Sequence, residues 1–104
     1  MVKYEVWQLP LSSPYKFLHY DWFEEEPTMG DYVMVYSGIY FLGIGRKRRD
    51  VVLENLFRRL NLETPIDYRV APVSVSDVIC LINDYKRTWW YVDGVGFKQL
   101  DWGG

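Results

Sequence analysis

Asp77 and Asp93 are the carboxylates whose spacing best suits chemistry. They bracket a stretch that reads as a β-hairpin. Pairing of its arms would bring them together, and two adjacent carboxylates can share a divalent cation or divide acid and base roles. A cation needs more oxygen ligands than two, and an acid/base pair needs a pocket for its substrate. The plainer reading is that each caps a backbone turn, Asp77 after Ser76 and Asp93 before Gly94. His19 is the single histidine. With Ser74, Ser76 or Cys80 it would form a nucleophile and base, but none of those residues sits in a nucleophile elbow or comparable setting. Cys80 lies in the most apolar run, where a thiol acts as filler. Gly43-Ile44-Gly45 lacks the third glycine and the Lys-Ser/Thr of a phosphate loop. These residues imply no enzyme, no metal and no cofactor.

Charge and aromatic rings point instead to binding. Arg46, Lys47, Arg48 and Arg49 stand together ahead of a predicted helix, where cations oppose the helix dipole. Such a run suits phosphates or an acidic protein surface. Lys86 and Arg87 beside Trp89 and Trp90 repeat the mixture of cations and rings that single-strand binders use. Before Arg46 six acids face two bases, and Glu24, Glu25 and Glu26 are consecutive; from Arg46 onward ten bases face eight acids. In a strand Trp89 and Trp90 point to opposite faces, so at most one of them is expected in the core. The other, with Trp102, is expected to anchor a protein partner.

The elements that position these residues follow from periodicity. Lys3 to Leu9 predicts a first strand, stopped by Pro10. The rings Tyr15, Phe17, Tyr20, Trp22 and Phe23 include spacings of three, which predict a short helix starting near Ser13-Pro14. Tyr32 to Tyr36 is apolar on both faces, as in a central strand, and Ser37-Gly38 reads as a turn into Ile39 to Leu42. The clearest helix follows: Asp50 as N-cap, Leu53, Leu56, Phe57 and Leu60 on one stripe, Glu54 and Arg58 outside, and Asn61 closing it. Asp67 to Pro72 connects to the hairpin, whose arms are Val78 to Ile82 and Thr88 to Val92 around a turn at Asn83 to Arg87. Phe97 to Leu100 follows the Gly94 and Gly96 break. The predicted architecture is α+β: a small, mostly antiparallel sheet with one main helix packed on one face.

A chain of 104 residues makes a single domain, 1–104, that buries enough surface to fold without metal or disulfide. Its lone cysteine and the lack of a signal-like opening imply a cytoplasmic protein, and no apolar run approaches a membrane span. Aromatic content of 18% exceeds what so small a core can enclose, so some rings should lie at the surface.

Three groups of residues carry a family resemblance. They are Leu53-Glu54-Asn55-Leu56-Phe57 with Asn61, Pro65 and Asp67-Tyr68; then Ser74-Val75-Ser76-Asp77-Val78-Ile79; then Trp90-Tyr91-Val92-Asp93-Gly94-Val95-Gly96-Phe97-Lys98. In this order they resemble the YodL-like domain, with the match running from Asp50 to Leu100. Ile39 to Arg49 is longer and more basic than the family's usual link, and Val70-Ala71-Pro72 replaces a polar turn. The resemblance implies an accessory protein of phages and other bacterial mobile elements, without catalysis. The expected role is protein binding, with a host or rival protein as partner and inhibition of a host defence nuclease as one form. The surface would use Glu24, Glu25, Glu26, Arg46, Lys47, Arg48, Arg49, Lys86, Arg87, Trp89 and Trp102. The alternative is nucleic-acid binding through Arg46 to Arg49 and an exposed tryptophan.

Overall fold

The computed structural model describes residues 2–22, 27–40, 49–62, 67, 71–83 and 85–102. Strands β1 (Val2–Gln8), β2 (Val33–Tyr40), β3 (Val78–Asn83), β4 (Lys86–Val92) and β5 (Phe97–Leu100) form one sheet in the order β2-β1-β3-β4-β5, and every neighbouring pair is antiparallel. Helix α1 (Arg49–Leu62) packs on one face. The architecture is the α+β sheet and helix that the sequence predicts.

Strand alternation divides the apolar residues between two faces. Tyr4 and Val6 of β1, Ile79 and Leu81 of β3 and Val92 of β4 meet Val52, Leu53, Leu56 and Leu60 of α1. Phe57 closes the margin of this core, edge-on to Phe97 at 6.5 Å between ring centroids. Glu54 and Arg58 face solvent, as the helical period requires. Val78, Cys80, Trp89, Tyr91 and Leu100 point the other way. There, Leu9, Tyr20 and Tyr32 from the segment joining β1 to β2, together with Trp102 after β5, form the cover.

Several predicted details change. The aromatic segment after Pro10 makes isolated turns and a 3-10 turn at Tyr20–Trp22 in place of a helix. Phe17 holds φ at +67°, the left-handed region, and its N–H leaves the segment to reach Ser76, so no helical ladder can run through it. Gly38 makes no turn: β2 continues through it because Tyr4 lies against it, and a Cβ there would stand 2.6 Å from the Tyr4 hydroxyl. β2 is an edge strand among the described residues, with Val33 and Met34 exposed, and not the central strand expected. Asp50 lies inside α1, which begins at Arg49. Asn61 remains helical; its side chain donates to the Val73 carbonyl and accepts from the Val73 N–H, both at 2.8 Å, tying the helix end to the approach to β3. The β3–β4 turn is tighter than expected: Asn83 pairs with Lys86, and Tyr85 takes a positive φ.

Candidate interaction surface

The described residues of the segment from Leu9 to Tyr32 make only turns and short 3-10 turns, so their backbone polar groups cannot satisfy one another as a helix's do. Side chains on the sheet and in the turns and chain that flank its strands supply the partners. Ser76 Oγ accepts the Phe17 N–H at 2.9 Å, the Tyr91 hydroxyl donates to the Leu18 carbonyl, and Asp93 Oδ1 accepts the Tyr20 N–H at 3.2 Å. Trp102 Nε1 donates to the Pro27 carbonyl at 2.8 Å. In return, the Tyr32 hydroxyl donates to the Ser76 carbonyl at 2.7 Å.

Asp77 is the centre of this arrangement. Its carboxylate is fully buried and lies 3.1 Å from the Lys16 ammonium, itself almost wholly enclosed. It also accepts from Gln8 Nε2 at 3.1 Å and from the Ser74 N–H at 2.9 Å. Burial pushes the Asp77 carboxyl above its ordinary range, against the opposing pull of the Ser74 amide, Lys16 and Gln8. Ser76 sits where a glycine would be favoured. The Asp77 N–H bonds to the Ser74 carbonyl, Ser76 has φ of +86°, and Ser76 N–H and Asp77 C=O both pair with Val92. That is a tight turn running into a β-bulge with a left-handed first residue. A serine at this strained position supplies the hydroxyl that holds Phe17.

Asp93 works in the same way at the far end of β4. Besides Tyr20, its Oδ1 accepts the Gly94 N–H at 2.8 Å, and His19 Nδ1 stands 3.6 Å away. The His19 ring packs onto Gly94 so closely that a Cβ there would lie 2.1 Å from His19 Cε1. Trp22 continues the stack, 5.4 Å from His19. Asp77 and Asp93 thus each cap their own turn and each also hold the segment. Cys80 is buried beneath the same cover, with Arg87 Nη1 at 3.6 Å, and burial pushes its thiol up to about 11. Its surroundings are separate from those of His19. Among the described residues no cluster of His, Cys, Asp or Glu could hold a metal, and no helix is long and apolar enough to cross a membrane.

The expected binding residues scatter. Trp89 and Trp102 are not exposed anchors: they retain 5% and 8% of their accessibility and pack against each other, tilted, at 5.1 Å, with Trp7 and Tyr32 edge-on at their flanks. Trp90 packs partly into the helix-side core and donates from Nε1 to Thr88 Oγ1. Lys86 and Arg87 are exposed, and Arg87 pairs with Glu5 at 2.6 Å. Glu24, Glu25, Glu26, Arg46, Lys47 and Arg48 lie outside the described residues, and Arg49 is described only as the first residue of α1. Among the described residues the rings that face solvent include Tyr85 in the β3–β4 turn and, on the segment between β1 and β2, Tyr15, Phe17 at 57% and Trp22 at 70%, with Leu11 at 80% beside them. Sequence reasoning placed Phe17 and Trp22 on a helix and singled out neither. The usable signal was a run of rings with no complete helical stripe. At the Lys3 end of the sheet, on the segment's side, a groove of about 530 Å³ is lined by Lys3, Glu5, Ser37, Ile39, Ile82 and Arg87 among others.

The residues that fasten the segment, Ser76-Asp77 and Asp93-Gly94, belong to the two motifs most characteristic of the resemblance noted above, and the family's pattern matches residues 3–102. The chain belongs to the YodL-like domain family. In this YodL-like domain the match takes in all five strands and both covers, well beyond the Asp50 to Leu100 span that the motifs alone suggest. No curated protein and no solved structure matches the chain.

Proposed function

We propose that this YodL-like domain is a non-catalytic protein-binding module whose contact surface is the pinned segment between β1 and β2. One observation carries the reading: the segment that exposes Leu11, Phe17 and Trp22 is also the one whose backbone is fastened by the side chains of Ser76, Tyr91 and Asp93. Large exposed rings on a pre-ordered backbone lose little entropy on docking, which is how anchor residues gain affinity. Acidic Asp21 stands beside Trp22, and Glu24, Glu25 and Glu26 follow in the chain, so the fitting partner has a basic surface with an apolar pocket. On the setting that the family resemblance implies, a mobile element facing its host, a host defence nuclease is a partner of that chemistry.

The test is capture from a host lysate on immobilised chain, compared with the Trp22→Ala variant. Trp22→Ala should leave the unfolding free energy within about 0.5 kcal/mol of wild type and weaken the captured partner's affinity by about 2 kcal/mol, roughly thirtyfold. Equal capture by both proteins, or no capture at low salt, would refute the reading. The nucleic-acid alternative is less well supported, because Trp89 lies inside the protein and Arg87 is engaged by Glu5.

A further inference from the structure

We propose that the groove at the Lys3 end of the sheet binds a small monocarboxylate with an aliphatic body, its carboxylate held by Arg87 and Lys3 and its chain laid on Ile39 and Ile82. The irregular cover protects only part of its face: Leu9, Tyr20, Tyr32 and Trp102 pack with Val78, Cys80, Trp89, Tyr91 and Leu100. Lys3, Glu5, Ser37, Ile39, Ile82 and Arg87 continue the same face beyond it and line a groove of about 530 Å³, within the size range of small-ligand sites. Arg87 stands near the start of β4, and the Gly94 turn on which His19 packs follows the other end of that strand. The groove is therefore separate from the surface that carries Trp22.

Arg87 supplies the recognition. Its Nη1 donates to Glu5 Oε1 at 2.6 Å and to Cys80 Sγ at 3.6 Å, and the guanidinium carbon stands 6.0 Å from the Trp89 ring centroid. Three contacts thus fix the guanidinium before a ligand arrives. Nε and Nη2 have no partner among the described residues, and together they form an edge of two parallel N–H donors, the shape that a carboxylate accepts. Ile82 pairs with Lys3 on one side and with Arg87 on the other, so the two cations flank it in one row, about 10 Å apart at the backbone. The exposed Lys3 ammonium is likewise without a partner among the described residues. Charge then sets the class of ligand. Lys3, Arg87 and Glu5 sum to one positive charge, which a single carboxylate neutralises and a phosphate monoester overshoots. Exposed Ile39 and half-buried Ile82 give an alkyl chain apolar surface to cover.

Magnetic resonance titration of the isotope-labelled full chain with hexanoate tests this. Hexanoate should shift the backbone amides of Ser37, Ile39, Ile82 and Arg87 saturably, while hexanol and hexylammonium leave them in place. Arg87→Lys keeps a cation for Glu5 but removes the two-donor edge, and it should weaken hexanoate about tenfold. Lys3→Gln should weaken it about threefold. Because Lys3 is exposed and unpaired among the described residues, that variant keeps the test open if Arg87→Lys does not fold. The amide spectrum of each variant shows whether it is folded. No saturable shift with hexanoate overturns the proposal. So does an equal response to hexanol, or undiminished affinity in either folded variant.

Discussion

On one face of the sheet a fourteen-residue helix lays Val52, Leu53, Leu56 and Leu60 over aliphatic strand residues, while on the other an irregular segment and Trp102 lay rings over Trp89 and Tyr91. A helix satisfies its own backbone, so its contact with the sheet can be almost wholly apolar. An irregular cover brings N–H and C=O groups that need partners, and the face beneath it must contain polar side chains aimed at them. Ser76, Tyr91 and Asp93 meet that need, and Asp77 adds an ion pair to the segment's Lys16 side chain. The V-S-D-V and Y-V-D-x-x-G motifs are therefore fastenings for a loop.

The comparison predicts which substitutions hurt most. Asp77→Ala leaves the Lys16 ammonium enclosed without its counter-ion, and urea unfolding should register a loss of about 3–5 kcal/mol. Leu56→Ala on the helix side opens a cavity costing about 2–4 kcal/mol. Hydrogen exchange separates the two: Asp77→Ala should first expose amides of residues 9–22, and Leu56→Ala those of α1. If both variants loosen the same amides, the two covers are one cooperative unit and the distinction fails.

Alkaline pH provides a second contrast. Burial pushes the Cys80 thiol up to about 11 and raises the Tyr32 and Tyr91 hydroxyls as well, and all three belong to the core between the sheet and its irregular cover. The folded chain keeps these protons after the unfolded chain has lost them. Stability therefore falls as pH rises from the unfolded thiol value of 9.0 through the folded one. From Cys80 alone the loss should approach about 2–3 kcal/mol, read as a drop in the urea midpoint between about pH 9 and about pH 11. A Cys80→Ala variant should flatten part of that slope.

The smallest effect is the most specific. Ser76→Gly relieves a left-handed serine, worth about 1 kcal/mol, and removes one hydrogen bond of about 1 kcal/mol, so global stability should barely change. The Phe17 amide should nevertheless lose exchange protection, since Ser76 Oγ is its acceptor. An unchanged Phe17 amide would show that the hydroxyl does not hold the loop.

The helix side was almost fully legible in the sequence, because Leu53, Leu56, Phe57 and Leu60 recur at the period of the element that carries them. The hairpin was legible for the same reason, through β-branched and aromatic runs flanking a turn. Periodicity failed where tertiary contact decided the outcome. Gly38 reads as a turn until Tyr4 is found lying on it. The rings from Tyr15 to Trp22 suggest a helix until Phe17 is seen turned left-handed toward Ser76. Alternation puts Trp89 and Trp90 on opposite faces, but neither it nor residue type says which ring the fold encloses. Trp102 goes inside because Tyr32 and Trp89 receive it, and Trp22 stays outside on a short 3-10 turn.

The bond from Trp102 to Pro27 spans 75 positions, and those from Tyr91 to Leu18 and Asp93 to Tyr20 span 73. During synthesis β1 and its loop leave the ribosome long before these partners exist. The aromatic lid must therefore wait for the last strands, and until they arrive the nascent chain carries its rings bare, at the stage when a chaperone is most needed.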